Sequence, residues 1–583
     1  MSVSQPISSP QLVKVKPLEQ KVTKEDWIIR IALGLAVAWL TVGIILPLFP
    51  MVLRSLQNTD GQWVGFANYL RYLTTPSLLA SFGNSLSVAA LTTLFSVGFA
   101  FLYAYGLTRT AMPGKAIFRL LSLLPLYIPP LAHAIGLIYL FGNQGLITQA
   151  GWDINLYGQT GIVMGEFFYC FPQAVVILTT ALSLTDARLY EAAQALRTSP
   201  VRTFFTVTLP SVKYGLISSI FVCFILAFTD FGVPKVVGGD FNVLATDIYK
   251  QVIGQQNFSM GATISVFLLV PAILAFVIDR IIQRKQTALV SAKAVPLQPK
   301  PNPVLDWAMF VCCSLIASAA IIVFCTIIFA SLVKVWPYDF SLSLRNYDFS
   351  RVGGGGYAAY WNSIRMSFCT AVFGTAIVFT MAYLVEKRKG LKWLRGVTYF
   401  LSTLPLALPG LVLGLAYVFF FNQRTISIPF TNYALLNPFN GLYSTLAILV
   451  LCTIIHFSTV CFLTASTALK QLDPEFEAVS ESLSVPFYKT FWRVTLPMCL
   501  PAILEIGIYY FINAMVTVSA VIFLYPPKLP LASVAIVNMD DAGDVAAAAA
   551  MSVLIVLTSL GVKGLYWFLT RGVQKRSQAW LKK

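Results

Sequence analysis

Five ionisable side chains stand inside stretches that are otherwise almost wholly apolar: His133, Glu166, Asp230, His456 and Glu505. Such a group is costly to keep in apolar surroundings, and where it is kept it commonly binds an ion, relays a proton or meets a polar solute. Asp230, in FTDFGVP, is the first candidate to line a polar path through an apolar body. His133 follows Pro129-Pro130, where a broken helix would free backbone carbonyls, and Glu166 stands alone in GIVMGEFFY. His456 reads as a packing residue and Glu505 as a brace near the end of its segment. Other chemistries are missing. The nearest approach to a GxxxxGK[ST] phosphate loop, MPGKAIF, lacks the hydroxyl residue and the upstream glycine, so this chain is not expected to hydrolyse ATP. The nine cysteines have no CxxC spacing and read as small apolar residues, not as metal ligands or a disulfide framework. No metal site and no catalytic residue is expected.

The elements that position these groups must be membrane helices. Hydrophobic residues make up 57% of the 583, charged residues only 11%, and mean hydropathy is +0.75. Soluble domains carry about 25% charged residues, so this chain cannot clothe a water-facing surface, and lipid must be part of its solvent. Twelve apolar stretches are long enough to span: 28–53, 84–108, 118–142, 161–184, 213–234 and 262–283, then 305–333, 362–385, 396–421, 445–469, 500–524 and 546–570. With the N-terminus inside, 29 Lys and Arg fall on the cytoplasmic side and nine outside. That bias puts both termini in the cytoplasm and explains the net charge of +17 without any nucleic-acid partner. The fold class expected is therefore an all-α integral membrane protein. It would have a cytoplasmic tail (1–27), a six-helix half (28–283), a basic Pro-containing linker (284–304), a second half (305–570) and a basic tail (571–583).

The two halves repeat. NSLSVAALTTLFSVGFAFLYAYGL (84–107) matches NSIRMSFCTAVFGTAIVFTMAYLV (362–385) at an offset of 278, with Asn84/Asn362, Ser85/Ser363 and Phe101/Phe379 among the shared positions. Pro125/Pro405 and Pro129/Pro409 coincide a little further on. DARLYEAAQALRTSPVRTFFTVTLP (186–210) aligns without gaps to DPEFEAVSESLSVPFYKTFWRVTLP (473–497), ending both times in VTLP. Each copy is a polar loop between the fourth and fifth span of its half. In the first, Asp186 can cap a helix rich in Ala192, Ala193 and Ala195, Pro200 breaks it, and a second short helix leads into Leu209-Pro210. Matching loops at matching places imply two copies of something to dock, and same-facing copies make the repeats parallel.

These loops resemble the EAA loops of the membrane subunits of bacterial ABC importers, whose pattern is EAA, three residues, Gly, about nine residues, then an apolar residue, x and Leu-Pro. The two-in-one layout resembles the ferric-iron group of fused permeases. TDFGVPKVVGGDFNVLATDIYKQVIGQQNFSMG (229–261) and FEAVSESLSVPFYKTFWRVTLPMCLPAI (476–503) look most like 2-aminoethylphosphonate-type permeases. The resemblance implies a permease in the bacterial inner membrane and two separate ATPase subunits that use the ATP. It also implies an external or periplasmic solute-binding protein, and no cofactor on this chain. The substrate would be 2-aminoethylphosphonate or, alternatively, ferric iron. Carried over residue by residue, the coupling set is Glu191, Ala192, Ala193, Arg197, Leu209 and Pro210 in the first loop, and Glu477, Ala478, Ser484, Leu496 and Pro497 in the second. Two departures stand out. The family glycine is Arg197 in one copy and Ser484 in the other, and Glu191 aligns with Ala478, the nearest acid, Glu477, being one residue early. A twelve-span secondary transporter would not need duplicated loops, and an integral-membrane enzyme would want clustered His, Asp or Glu at one face.

Overall fold

The computed structural model describes residues 24–578 apart from Asp153, 290–294, 296, 388–390, 428–433, Pro474 and Ser484. Ser484, most of the N-terminal tail and part of the linker thus lie outside the described residues. The rest is all-α, with two short antiparallel hairpins, Val333–Val335 with Asp339–Leu342 and Thr425–Ser427 with Ala434–Leu436. Among the described residues ten helices are long and apolar enough to cross a membrane, and the number reaches twelve if each of two sharply bent pairs is one span.

The bends correct four of the expected spans. The stretch 396–421 is not one rod: Lys392–Ala407 meets Gly410–Phe421 at 113°. Its counterpart at 118–142 divides in the same way into Lys115–Leu123, a tight turn at Leu124–Tyr127, and Pro130–Phe141. Proline is the cause. Pro125/Pro405 and Pro129/Pro409 lack the N–H that a continuing helix needs, and the second proline of each pair follows a residue in extended geometry, Ile128 and Leu408. In the second half the short helix that follows, Gly410–Phe421, has 12 residues, about 18 Å, too little to cross a ~30 Å hydrocarbon core by itself. The stretch 213–234 stops being helical at Thr229, and 500–524 at Val516; residues 519–524 form turns.

The repeat extends into the hydrogen bonds. Asn84 donates to the Asn242 carbonyl (2.9 Å) and Ser85 Oγ accepts from Leu244 N–H (2.8 Å); Asn362 donates to the Pro530 carbonyl (3.2 Å) and Ser363 Oγ accepts from Ala532 N–H (2.8 Å). The shared Asn-Ser pairs thus dock the segment that follows the fifth helix of each half. The first helix of each half crosses over to the other. Trp27–Ser55 packs on Gly410–Phe421, where Tyr417 donates to the Gly43 carbonyl at 2.8 Å, and Pro303–Leu332 packs on Pro130–Phe141. Small residues permit the approach: a Cβ on Gly43 would lie 2.7 Å from Ile455, and one on Gly136 2.9 Å from Val323 and Ile327. The halves are interlocked as a result.

Candidate functional site

Four helix breaks converge between the halves and enclose a cavity of about 170 Å³. Its walls come from the two proline breaks (Pro130 and Leu131; Pro405, Pro409 and Gly410) and from the ends of the fifth helices (Thr229, Asp230 and Gly232; Val516 to Ser519). Asp230 follows the last helical residue, in extended conformation, and its carboxylate accepts the Val233 N–H at 2.9 Å, which turns the chain. Thr517, 287 residues later, likewise follows the last helical residue of the second half's fifth helix in extended conformation. That offset relates other walls: Tyr169 to His456, Gln173 to Val460, and Leu226 to Asn513, all of which line the cavity. The cavity therefore lies where the repeats meet, and its two sides differ in chemistry. The first half supplies a carboxylate, a phenol, an amide and one hydroxyl (Thr229); the second an imidazole, a second phenol (Tyr509), an amide and several hydroxyls. Among its described lining residues there is no Lys or Arg.

Of the three expected path residues, the structure puts Asp230 in the wall. Glu166 is fully buried behind it, near enough to interact electrostatically with Asp230 and Tyr169, with neither carboxyl oxygen in a hydrogen bond of normal geometry. His133 does not reach the cavity. It is buried and stacked on Phe168, ring centres 6.0 Å apart, although its neighbours Pro130 and Leu131 do line the wall. His456, expected to pack, lines the cavity instead; Glu505 is exposed. Tyr169, Tyr509 and Asn513 escaped sequence reasoning because polar neutral residues are common in helices. The signal that could have found them was the 287-residue offset carried upstream from the loops.

The loops form as expected. In the first, Asp186 accepts Arg188 N–H (3.1 Å) and starts the helix Ala187–Ala195, and Ser199 caps Pro200–Thr203. In the second, Asp473 accepts Glu475 N–H (2.9 Å) at the start of Glu475–Ser482. Both continue into a wide π turn, Phe204–Thr208 and Phe491–Thr495, before Leu209-Pro210 and Leu496-Pro497. Glu191, Ala192 and Arg197 are exposed, Ala193 is buried; Ala478 is exposed, whereas Glu477 is turned inward onto Lys387 at 3.3 Å.

The backbone explains the family glycine. Arg197 has φ of +51°, and Thr198 N–H returns to the Ala193 carbonyl (3.1 Å) while Arg197 N–H reaches that of Gln194 (3.0 Å). This closing motif wants glycine at its left-handed residue. Arg197→Gly is expected to raise stability by about 0.5–1 kcal/mol, read as a higher melting temperature in detergent, because an L side chain is disfavoured there. A fall would show that the guanidinium makes a stabilising contact.

Residues 96–288 and 375–575 match the family model of the binding-protein-dependent transport system inner membrane component. The chain belongs to that family: it is a multi-pass inner-membrane permease subunit of the ABC importer class, with both permease units fused in one chain, a class that works with ATPase and binding-protein partners. Within the class it is similar to the ferric transport system permease protein FbpB of Actinobacillus pleuropneumoniae, 27% identical over 524 residues, covering 86% of this chain and 73% of that one. It is also similar to the Fe(3+)-transport system permease protein FbpB 2 of Haemophilus influenzae, 25% identical over 529 residues, covering 89% and 96%. A bacterial ABC transporter solved for import of the acidic polysaccharide alginate matches with a TM-score of 0.39 at 16% identity, over 46% of this chain and 98% of that chain.

Proposed function

We propose that this permease carries ferric iron through the central cavity, driven by two ATPase subunits seated on the two loops. The loop side is cytoplasmic, in keeping with the 29-to-nine distribution of Lys and Arg. A binding protein delivers the ion at the opposite face, and the halves alternate between outward and inward openings around the cavity.

The observation that carries the substrate reading is the cavity's chemistry. One carboxylate, two phenols and an imidazole, with no Lys or Arg among the described lining residues, suit a hard cation. The names of the relatives point the same way. A phosphonate would bring a doubly charged oxyanion to a wall with no cation to receive it, although the ammonium of 2-aminoethylphosphonate could meet Asp230. Among the described residues no cluster of three or more His, Cys, Asp or Glu could hold a metal firmly. Loose, mixed ligation fits a path, because an ion that binds too tightly cannot leave.

The test is uptake of radiolabelled ferric iron and of labelled 2-aminoethylphosphonate by cells carrying the permease, its ATPase and its binding protein. Iron uptake that stops on ATP depletion is expected. Phosphonate uptake without iron uptake would reverse the substrate assignment, and uptake that survives ATP depletion but collapses with the ion gradient would remove the importer reading altogether.

A further inference from the structure

In each half, a cation at the end of the second long helix reaches across to the loop helix. Arg109 ends the helix Pro76–Arg109; its guanidinium lies 5.0 Å over the Tyr190 ring and donates to the Leu182 carbonyl at 2.7 Å. Lys387, 278 residues later, follows the helix Gly356–Glu386; it donates to the Leu472 carbonyl at 3.2 Å and pairs with Glu477 at 3.3 Å. Tyr190 and Glu477 are themselves one repeat position, 287 residues apart. The same contact is thus made by cation–π attraction in one half and by an ion pair in the other. The pair is well sheltered, its side chains only 9% and 14% exposed, so it is screened far less than a surface pair.

A second contact accompanies each cation. Phe204 packs edge-on against Phe101 and Tyr105 of Pro76–Arg109, and Phe491 packs against Phe379 and Tyr383 of Gly356–Glu386. These too are repeat equivalents. Each loop is therefore fastened to one particular helix at two points, before and after its bend. The neighbouring positions, Glu191 and Ala478, point outward.

We propose that Arg109–Tyr190 and Lys387–Glu477 are equivalent tethers that make each loop helix move as one body with the second long helix of its half, and that Glu477 is a positioning residue, not an ATPase contact. This rests on the reading of the loops as ATPase docking elements. It also accounts for the displaced acid of the second loop: Glu477 stands at the tether position, one residue before the docking position.

The test uses the whole permease reconstituted with its ATPase and binding protein. It reads the amount of ATPase bound and the ATP hydrolysed per ion taken up. Glu477→Ala is expected to leave ATPase binding within about 2-fold and to raise ATP spent per ion by about 10-fold, a typical coupling loss. The exchange K387E/E477K is expected to bring the ratio back to within about 3-fold of wild type, which a merely structural defect would not allow. Should E477A fail to fold, R109K/Y190E, which builds the second tether into the first half, is expected to keep coupled uptake. Loss of ATPase binding in E477A equal to its loss of uptake would make Glu477 a docking residue. An unchanged ratio in E477A, no recovery in the exchange, or loss of coupling in R109K/Y190E would also overturn the proposal. No ATPase binding by the wild-type permease would instead remove the reading on which it rests.

Discussion

Asp230→Asn is expected to lower ferric-iron uptake by about 100-fold while leaving the amount of folded permease and its bound ATPase unchanged. The substitution keeps the shape of the site. Asparagine is isosteric, and its carbonyl oxygen can accept the Val233 N–H that Asp230 now accepts at 2.9 Å, so the turn after Thr229 survives. What is lost is the one negative charge that the described lining of the cavity offers to a trivalent ion. Removing one member of a desolvated charge pair costs about 2–5 kcal/mol, and 2.7 kcal/mol is already 100-fold. The pseudo-symmetry of the cavity supplies a sharper version. Thr517 stands where Asp230 would stand if the halves were exchanged, so the double variant D230T/T517D moves the charge to the other wall. Uptake in that variant is expected to exceed that of D230T alone by at least about 5-fold, in keeping with a charge contribution of 1 kcal/mol or more. Radiolabelled iron uptake measures both. Normal uptake in D230N would take the carboxylate off the path, and no recovery in the double variant would mean that the position, with Glu166 behind it, matters as much as the charge.

The contrast between loop and cavity shows which features were legible in the sequence. The loops announce themselves locally: a polar, capped, helix-prone segment between apolar runs, ending in Leu-Pro, is written in consecutive residues, and its recurrence at 287 is visible without any three-dimensional knowledge. The Asn84-Ser85 and Asn362-Ser363 identities were equally visible, but their purpose was not, because their partners at Asn242, Leu244, Pro530 and Ala532 lie some 158–169 residues away. Hydropathy also hid the broken helices. A window that sums apolar character across Pro125 to Pro130 sees one span, since the bend changes direction and not composition. The cavity is a property of four such breaks at once. That is why His456, alone in an apolar run, looked like packing until its repeat partner Tyr169 appeared on the facing wall.

Glu191→Arg is expected to abolish coupled transport, with uptake at least about 50-fold down and the hydrolysis rate of the ATPase no longer responsive to the loaded binding protein. The fold has little reason to object. Glu191 is exposed in mid-helix, Arg has a helix propensity close to that of Glu, and the capping bond of Asp186 and the closing bonds at Arg197 and Thr198 do not involve it. The effect must then come from the partner. Reversing a charge turns an attraction into a repulsion, which at a desolvated contact amounts to several kcal/mol. Neighbouring Arg188, also exposed and one turn earlier, adds to the repulsion by placing two cations side by side on the same face. Ala478→Arg makes a useful comparison, since Ala478 is the aligned and equally exposed position of the second loop but carries no charge to reverse. Its loss is expected to be at least about 5-fold smaller, because only an added desolvation is at stake and not a lost ion pair. Equal losses in the two variants would mean that the partner tolerates no bulk at either site, whatever its charge. Uptake near wild type in E191R, with ATPase still bound, would mean that force enters the membrane elsewhere.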